Sequence, residues 1–109
     1  MSKIFLDNLE EHVALTDKMS EIQESVQHAA QILAETVLNG GKIMLCGNGG
    51  SAADCQHIAA EFVGRFINNR DPIAALALTT DSSALTCIGN DYRDDPIFSR
   101  QVLGLGQSA

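Results

Sequence analysis

An α/β fold, a parallel sheet flanked by helices, is what this sequence predicts, and three observations predict it. Two short apolar runs, Lys42–Cys46 and Ile73–Leu78, are each bounded by glycine, proline or polar residues, as buried strands are. Between them lies a stretch of helical periodicity, and two more amphipathic stretches precede the first run. Strands that alternate with helices imply parallel pairing, with the helices laid on the faces of the sheet.

The elements follow in order. Residues 3–18 place Phe5, Leu9 and Val13 at four-residue spacing, the stripe of an amphipathic helix. Ser20-Glu21-Ile22-Gln23 matches an S-x-x-Q capping box. It would open a second helix with the apolar face Ile22, Val26, Ala29, Leu33 and Val37. Asn39-Gly40-Gly41 ends that helix, with glycine as its left-handed C-terminal residue. Residues 1–40 thus read as a helical hairpin with apolar surface to offer another subunit, and 41–109 as the first strands and helices of a sheet. Gly47–Ser51 is a tight turn, Ala52–Phe66 a helix, and Asn68–Pro72 a loop. Thr79–Ser82 is rich in helix-capping side chains, and a short helix over Ser83–Ile88 should break at Gly89-Asn90-Asp91. Asp95 as N-cap and Pro96 at the first helical position open a last helix to about Leu103. Two strands are few beside the ~5–6 of a typical sheet. The expectation is therefore an N-terminal part of one longer domain, cut where a third strand would follow.

Composition narrows the function. At 45% hydrophobic residues, the 109-residue chain can bury a core. A formal charge of −7 argues against nucleic-acid binding, which needs a basic footprint on the phosphates. One phosphate on a small substrate can still be held locally by backbone N–H groups. The longest apolar run, Ile73–Leu78, is far short of the ~20 residues that span a bilayer, and the N-terminus lacks a signal pattern. A cytoplasmic protein without membrane or nucleic-acid partners is expected. Cys46, Cys55 and Cys87 are odd in number and lack CxxC spacing, so they read as reduced core residues that form no disulfide.

Chemistry concentrates in residues 46–66, CGNGGSAADCQHIAAEFVGRF. A strand runs into a glycine turn and then a helix N-terminus, where Gly49 and Gly50 let a ligand approach the backbone. No Gly-Lys-Ser/Thr follows, so this is not a Walker A loop, and the third glycine of G-x-G-x-x-G is missing. The turn could equally serve chain geometry alone. On the helix, Cys55, Ile58, Ala59, Phe62 and Phe66 form the sheet-facing stripe. Asp54, His57, Glu61 and Arg65 form another. His57 and Glu61, four apart, share one face and suit zinc or a similar divalent ion. Glu61 could act as a general base, given partial desolvation. The same spacing also describes a solvated face with a weak i,i+4 pair.

That segment, the stretch Ala75–Tyr92 and IFSRQV at residues 97–102 closely resemble the phosphoheptose isomerases of the sugar isomerase (SIS) superfamily. The resemblance runs over essentially the whole chain, with three motifs in order. It implies a three-layer, flavodoxin-like fold with a five-stranded parallel sheet, assembled as a homotetramer. It implies that Asn48, Gly49, Gly50 and Ser51 contact the sugar phosphate and that Asn90 and Asp91 contact substrate hydroxyls. His57 and Glu61 would bind one zinc per site, with the other ligands from the absent half, and Glu61 would also be the catalytic base. Arg65 matches an arginine near the site. The implied reaction converts D-sedoheptulose 7-phosphate to D-glycero-D-manno-heptose 7-phosphate for the heptose of lipopolysaccharide or other surface glycans. The 109-residue chain by itself is expected to be inactive.

Two other readings stand beside it. A SIS-fold partner of the bacterial replication initiator shares the CGNG-x-SAA turn and the Gln-His pair, but Glu61 and Asn90-Asp91 favour the enzyme. A sensor that binds a sugar phosphate without converting it would share the binding residues alone.

Overall fold

The structure, a computed structural model, describes residues 2–93 and 96–107. Helix α1 (Ser2–Asp17), a short 3-10 segment (Lys18–Ile22) and α2 (Gln23–Leu38) come first. Then follow β1 (Ile43–Leu45), α3 (Gly50–Val63), β2 (Ala75–Ala77), α4 (Ser82–Asp91) and α5 (Ser99–Leu105). The chain divides into two compact units, residues 1–35 and 36–109. No described helix is long and apolar enough to cross a membrane.

In the first unit α1 packs on the 3-10 segment. The capping box expected at Ser20 does not form. The chain stays helical through Asp17, and the Ser20 hydroxyl donates backwards to the Asp17 carbonyl at 3.3 Å. A capping side chain needs an extended N-cap residue from which to reach forward, and the 3-10 turn removes it. The apolar stripes stay open: Phe5 is 69% exposed, Val13 52% and Val26 56%.

In the second unit α2 closes as its Asn-Gly-Gly sequence demands. Gly40 takes a φ of 78°, its N–H donates to the Val37 carbonyl at 3.0 Å, and Gly41 N–H reaches the Thr36 carbonyl at 2.8 Å. These are the two bonds of a Schellman motif. The chain then enters β1, which pairs in parallel with β2 in the register Ile43–Ala75, Met44–Leu76 and Leu45–Ala77. Both strands are shorter than the apolar runs that signal them, although backbone bonds Ile43 to Ala74 and Leu78 to Leu45 extend the ladder at each end. Helix α3 covers the pair, contacting both strands. Ile43, Cys55, Ala59 and Leu78 form the buried centre, with Leu78 at 2% exposure.

The sheet-facing stripe of α3 is narrower than expected. Ala52, Cys55, Ala59 and Phe62 turn inward, while Ile58 is exposed and Phe66 lies beyond the helix end. Gly64 caps α3, its N–H bonding the Ala60 carbonyl at 2.8 Å. Arg65 therefore leaves the stripe of Asp54, His57 and Glu61. A side chain that periodicity does not flag completes this terminus. Arg70 donates from Nη1 to the Phe62 carbonyl at 2.7 Å and from Nη2 to the Glu61 carbonyl at 2.6 Å. The last carbonyls of a helix lack intrahelical partners, and a cation there also meets the negative end of the dipole. Arg70→Ala should therefore lower the urea midpoint at unchanged m-value, a loss of about 1–3 kcal/mol in unfolding free energy, because the Glu61 carbonyl loses its charged donor and that of Phe62 keeps only the Ile73 N–H at 3.0 Å. A loss below ~0.5 kcal/mol would mean that water replaces the guanidinium at no cost.

Helix α4 corrects a second expectation. Gly89, Asn90 and Asp91 do not break it but form its last turn, and Tyr92 N–H still reaches the Ile88 carbonyl at 3.1 Å. One strong cap at the other end drives the helix: the Asp81 side chain accepts from Ala84 N–H at 2.9 Å. A single glycine costs only about 1 kcal/mol against alanine in a helix, too little to stop it. Asp95, the N-cap expected for the last helix, lies outside the described residues; Pro96 accepts from Arg100 N–H at 3.0 Å just before α5. Gln101 Nε2 ties α5 to the sheet, donating to the Leu78 carbonyl at 3.0 Å and to that of Ile97 at 2.9 Å. At the other end of α5, Lys42 Nζ donates to the Leu105 carbonyl at 2.8 Å.

Candidate functional site

The glycine turn sits where β1 hands over to α3. Gly49 adopts φ 57° and ψ −123°, and Ser51 N–H closes on the Asn48 carbonyl at 3.0 Å. This is a type II′ turn, which requires positive φ at its first central residue. Gly47 runs so close to the start of α3 that a Cβ would lie 2.8 Å from the Ser51 Cβ. The N–H groups of Ala52 and Ala53 fold back on the Gly49 carbonyl at 3.1 and 3.4 Å. Those of Gly49 and Gly50 have no partner among the described residues, so they are the donors the turn can offer an anion.

Beside the turn lies a pocket of about 190 Å³. Asn48 and Gly49 form one side, and Thr79, Leu85, Ile97 and Phe98 the other. Thr79 locks this end of the sheet to α3 through its hydroxyl, which donates to the Ala52 carbonyl at 3.5 Å. Spacing within the sequence does not single out Leu85, Ile97 and Phe98, because only the folded chain brings them to the turn. The Gln101 bond to Leu78 is what anchors the segment that carries Ile97 and Phe98.

His57 and Glu61 do come together. Nε2 of the imidazole and Oε1 of the carboxylate are 3.3 Å apart, with side chains 76% and 33% exposed. They stand farther along α3, outside the lining of the pocket. Among the described residues no third His, Cys, Asp or Glu joins them in a group that could hold a metal. The pair can supply two donors of the ~four that a tetrahedral zinc requires.

Asn90 and Asp91 also pair, on the exposed last turn of α4. Asn90 Nδ2 donates to Asp91 Oδ1 at 2.9 Å, and the Cys87 thiol donates to Oδ2 at 3.5 Å. The hydrogen bond to Asp91 pushes the Cys87 thiol pKa upward, helped by the Asp91 charge and partial desolvation, with the Arg100 charge opposing. The Arg100 guanidinium lies 4.0 Å over the Tyr92 ring centre, a cation–π contact at the edge of this cluster. All three cysteines are free, as expected, but only Cys55 is buried. Cys46 and Cys87 are exposed, so two of the three are not the core residues their apolar surroundings suggest. Cys46 lies past the last paired residue of β1, and Cys87 lies on the outer side of α4.

Comparison with known proteins adds a family to this geometry. A family model described as the SIS domain matches residues 8–108. The phosphoheptose isomerase of Campylobacter concisus is 50% identical over 109 residues, covering 99% of this chain and 58% of that protein. That of Solidesulfovibrio magneticus is 62% identical over 82 residues, covering 75% of this chain and 40% of that protein. Among solved structures, the Neisseria gonorrhoeae phosphoheptose isomerase superposes with a TM-score of 0.82 at 44% identity, over 98% of this chain and 55% of that one. The chain thus spans about half the length of the relatives it matches.

Proposed function

Because the chain belongs to the SIS-domain family, we propose that the protein is a sugar-phosphate isomerase converting D-sedoheptulose 7-phosphate to D-glycero-D-manno-heptose 7-phosphate. The observation that carries this reading is 50% identity along 99% of the chain to a protein named phosphoheptose isomerase. The product would supply heptose to a surface glycan such as lipopolysaccharide, and the enzyme would work in the cytoplasm.

The chemistry is a proton transfer between adjacent carbons. Glu61 removes a proton from C1 of the ketose, the C1–H electron pair forms the C1=C2 bond, and the C2 oxygen takes up a proton, giving an enediol. A proton, exchangeable with solvent while the carboxyl holds it, is then delivered to C2 while the C1 oxygen loses its own, leaving the aldose. Glu61 suits this role because it is a half-shielded carboxylate, 33% exposed, on the helix that the phosphate-accepting turn opens. Asn48, Gly49, Gly50 and Ser51 hold the phosphate end, and Asn90 with Asp91 holds sugar hydroxyls. His57 and Glu61 are the two donors this chain offers a zinc ion, with the remaining ligands from outside the described residues. When bound, that ion supplies Lewis-acid polarisation of the carbonyl. The exposed stripes of α1 and α2, with Phe5 at 69% and Val26 at 56%, support assembly with further copies, a tetramer in this reading.

The test is incubation of the whole protein with D-sedoheptulose 7-phosphate, following aldose formation. Catalytic conversion is the expected result. Saturable binding without conversion would instead make the protein a sugar-phosphate sensor, and neither binding nor conversion would overturn both readings.

A further inference from the structure

The geometry points to Cys87 as a positioning residue for the Asp91 carboxylate: its thiol fixes one carboxylate oxygen while the Asn90 amide fixes the other. Asp91 is the last residue of α4 and is exposed, so its side chain would otherwise rotate freely. Two donors prevent that, Cys87 Sγ at 3.5 Å from Oδ2 and Asn90 Nδ2 at 2.9 Å from Oδ1. Cys87 lies four residues before Asp91 on the same helix, one turn back, where the two side chains meet. An ionised carboxylate has about four acceptor sites. Two are taken by these donors, and those left over face a fixed direction, available to the hydroxyls of a bound sugar.

The acid–base state of the thiol agrees with the geometry. Only the protonated thiol donates, which is the main form of any unperturbed cysteine at neutral pH, and the bond to Asp91 shifts its pKa further upward. Arg100, held over Tyr92 at 4.0 Å, pulls in the other direction and marks the far edge of the cluster.

This inference rests on the proposed contact of Asn90 and Asp91 with substrate hydroxyls, so its test has two independent arms. The first measures the bond itself by the pH dependence of Cys87 alkylation with iodoacetamide, in a Cys46→Ser background that removes the other exposed thiol. Asp91→Asn should move the alkylation profile to lower pH, with a severalfold faster reaction at pH near 8. An unmoved profile would overturn the contact. The second arm is steady-state kinetics of the whole protein on D-sedoheptulose 7-phosphate. Cys87→Ala should raise KM roughly fivefold, the scale of one net hydrogen bond, with kcat within about twofold. Cys87→Ser restores a donor of nearly the same reach and should bring KM back. A KM unchanged in Cys87→Ala, or raised equally in Cys87→Ser, would overturn the positioning role. A wild-type protein that converts no substrate would sink the isomerase reading and this role with it, and the alkylation arm would still report separately on the contact.

Discussion

Glu61→Gln should lower the turnover number by about 10²–10⁴-fold, the usual contribution of a general base, in a protein that remains folded. Glutamine keeps the size of the side chain and can still contact His57, which stands 3.3 Å from Glu61 Oε1. It cannot accept a carbon-bound proton at neutral pH. Substrate affinity should change much less, because the turn at Asn48–Ser51 and the pair Asn90-Asp91 are untouched. If Glu61 were only half of a surface ion pair, its loss would be worth about 0–1 kcal/mol and turnover would stay near normal. Steady-state kinetics with a matched circular dichroism spectrum separates the two outcomes.

The second large effect is expected at Gly49. Its φ of 57° with ψ of −123° belongs to a region that side chains bearing a Cβ rarely enter. Nothing lies within 4 Å of the position a Cβ would take, so steric crowding adds nothing and the backbone alone sets the cost. Gly49→Ala should destabilise the fold by about 1–3 kcal/mol, or force the turn to rearrange. A rearranged turn moves the Gly49 and Gly50 N–H groups and should weaken phosphate binding, measured as inhibition by inorganic phosphate. Gly50→Ala is the control, since Gly50 has open space and no positive φ and begins α3. Alanine favours a helix over glycine by about 1 kcal/mol at interior positions and by less at an end, so this variant should be neutral or slightly more stable. Equal destabilisation by both would mean that the positive φ is not what the turn requires.

The sheet and its helices were legible because the apolar runs are short, bounded by breakers and separated by a helical period. The Asn-Gly-Gly stop after α2 was legible for the same reason, since glycine carries a conformation no neighbour can supply. Boundaries that depend on competing bonds were not legible. Ser20 fits a capping box, yet the 3-10 turn gives its hydroxyl the Asp17 carbonyl instead. Gly89 and Asn90 resemble a stop, yet the Asp81 cap and the Cys87–Asp91 bond sustain the helix past them. Of the candidate site, the local pairs could be read from spacing: His57 with Glu61, and the glycine turn with the start of α3. The long-range contributions could not. Arg70 reaches back across a loop to the carbonyls of Glu61 and Phe62, while Gln101 on Leu78 and the pocket wall of Leu85, Ile97 and Phe98 join residues far apart in the chain. No periodicity encodes such pairs, and a lone Arg or Gln in a loop or short helix carries no local signal of its partner.

Isotope exchange in heavy water tests most directly whether Glu61 moves the proton between carbons. The whole protein is given D-sedoheptulose 7-phosphate in D₂O, and deuterium at C1 and C2 of recovered substrate and product is read by NMR. Proton abstraction to an enediol predicts deuterium on carbon during turnover by the wild type, and a rate of incorporation near background for folded Glu61→Gln. Conversion that leaves both carbons carrying only protium, or a Glu61→Gln variant that exchanges at the wild-type rate, would contradict it.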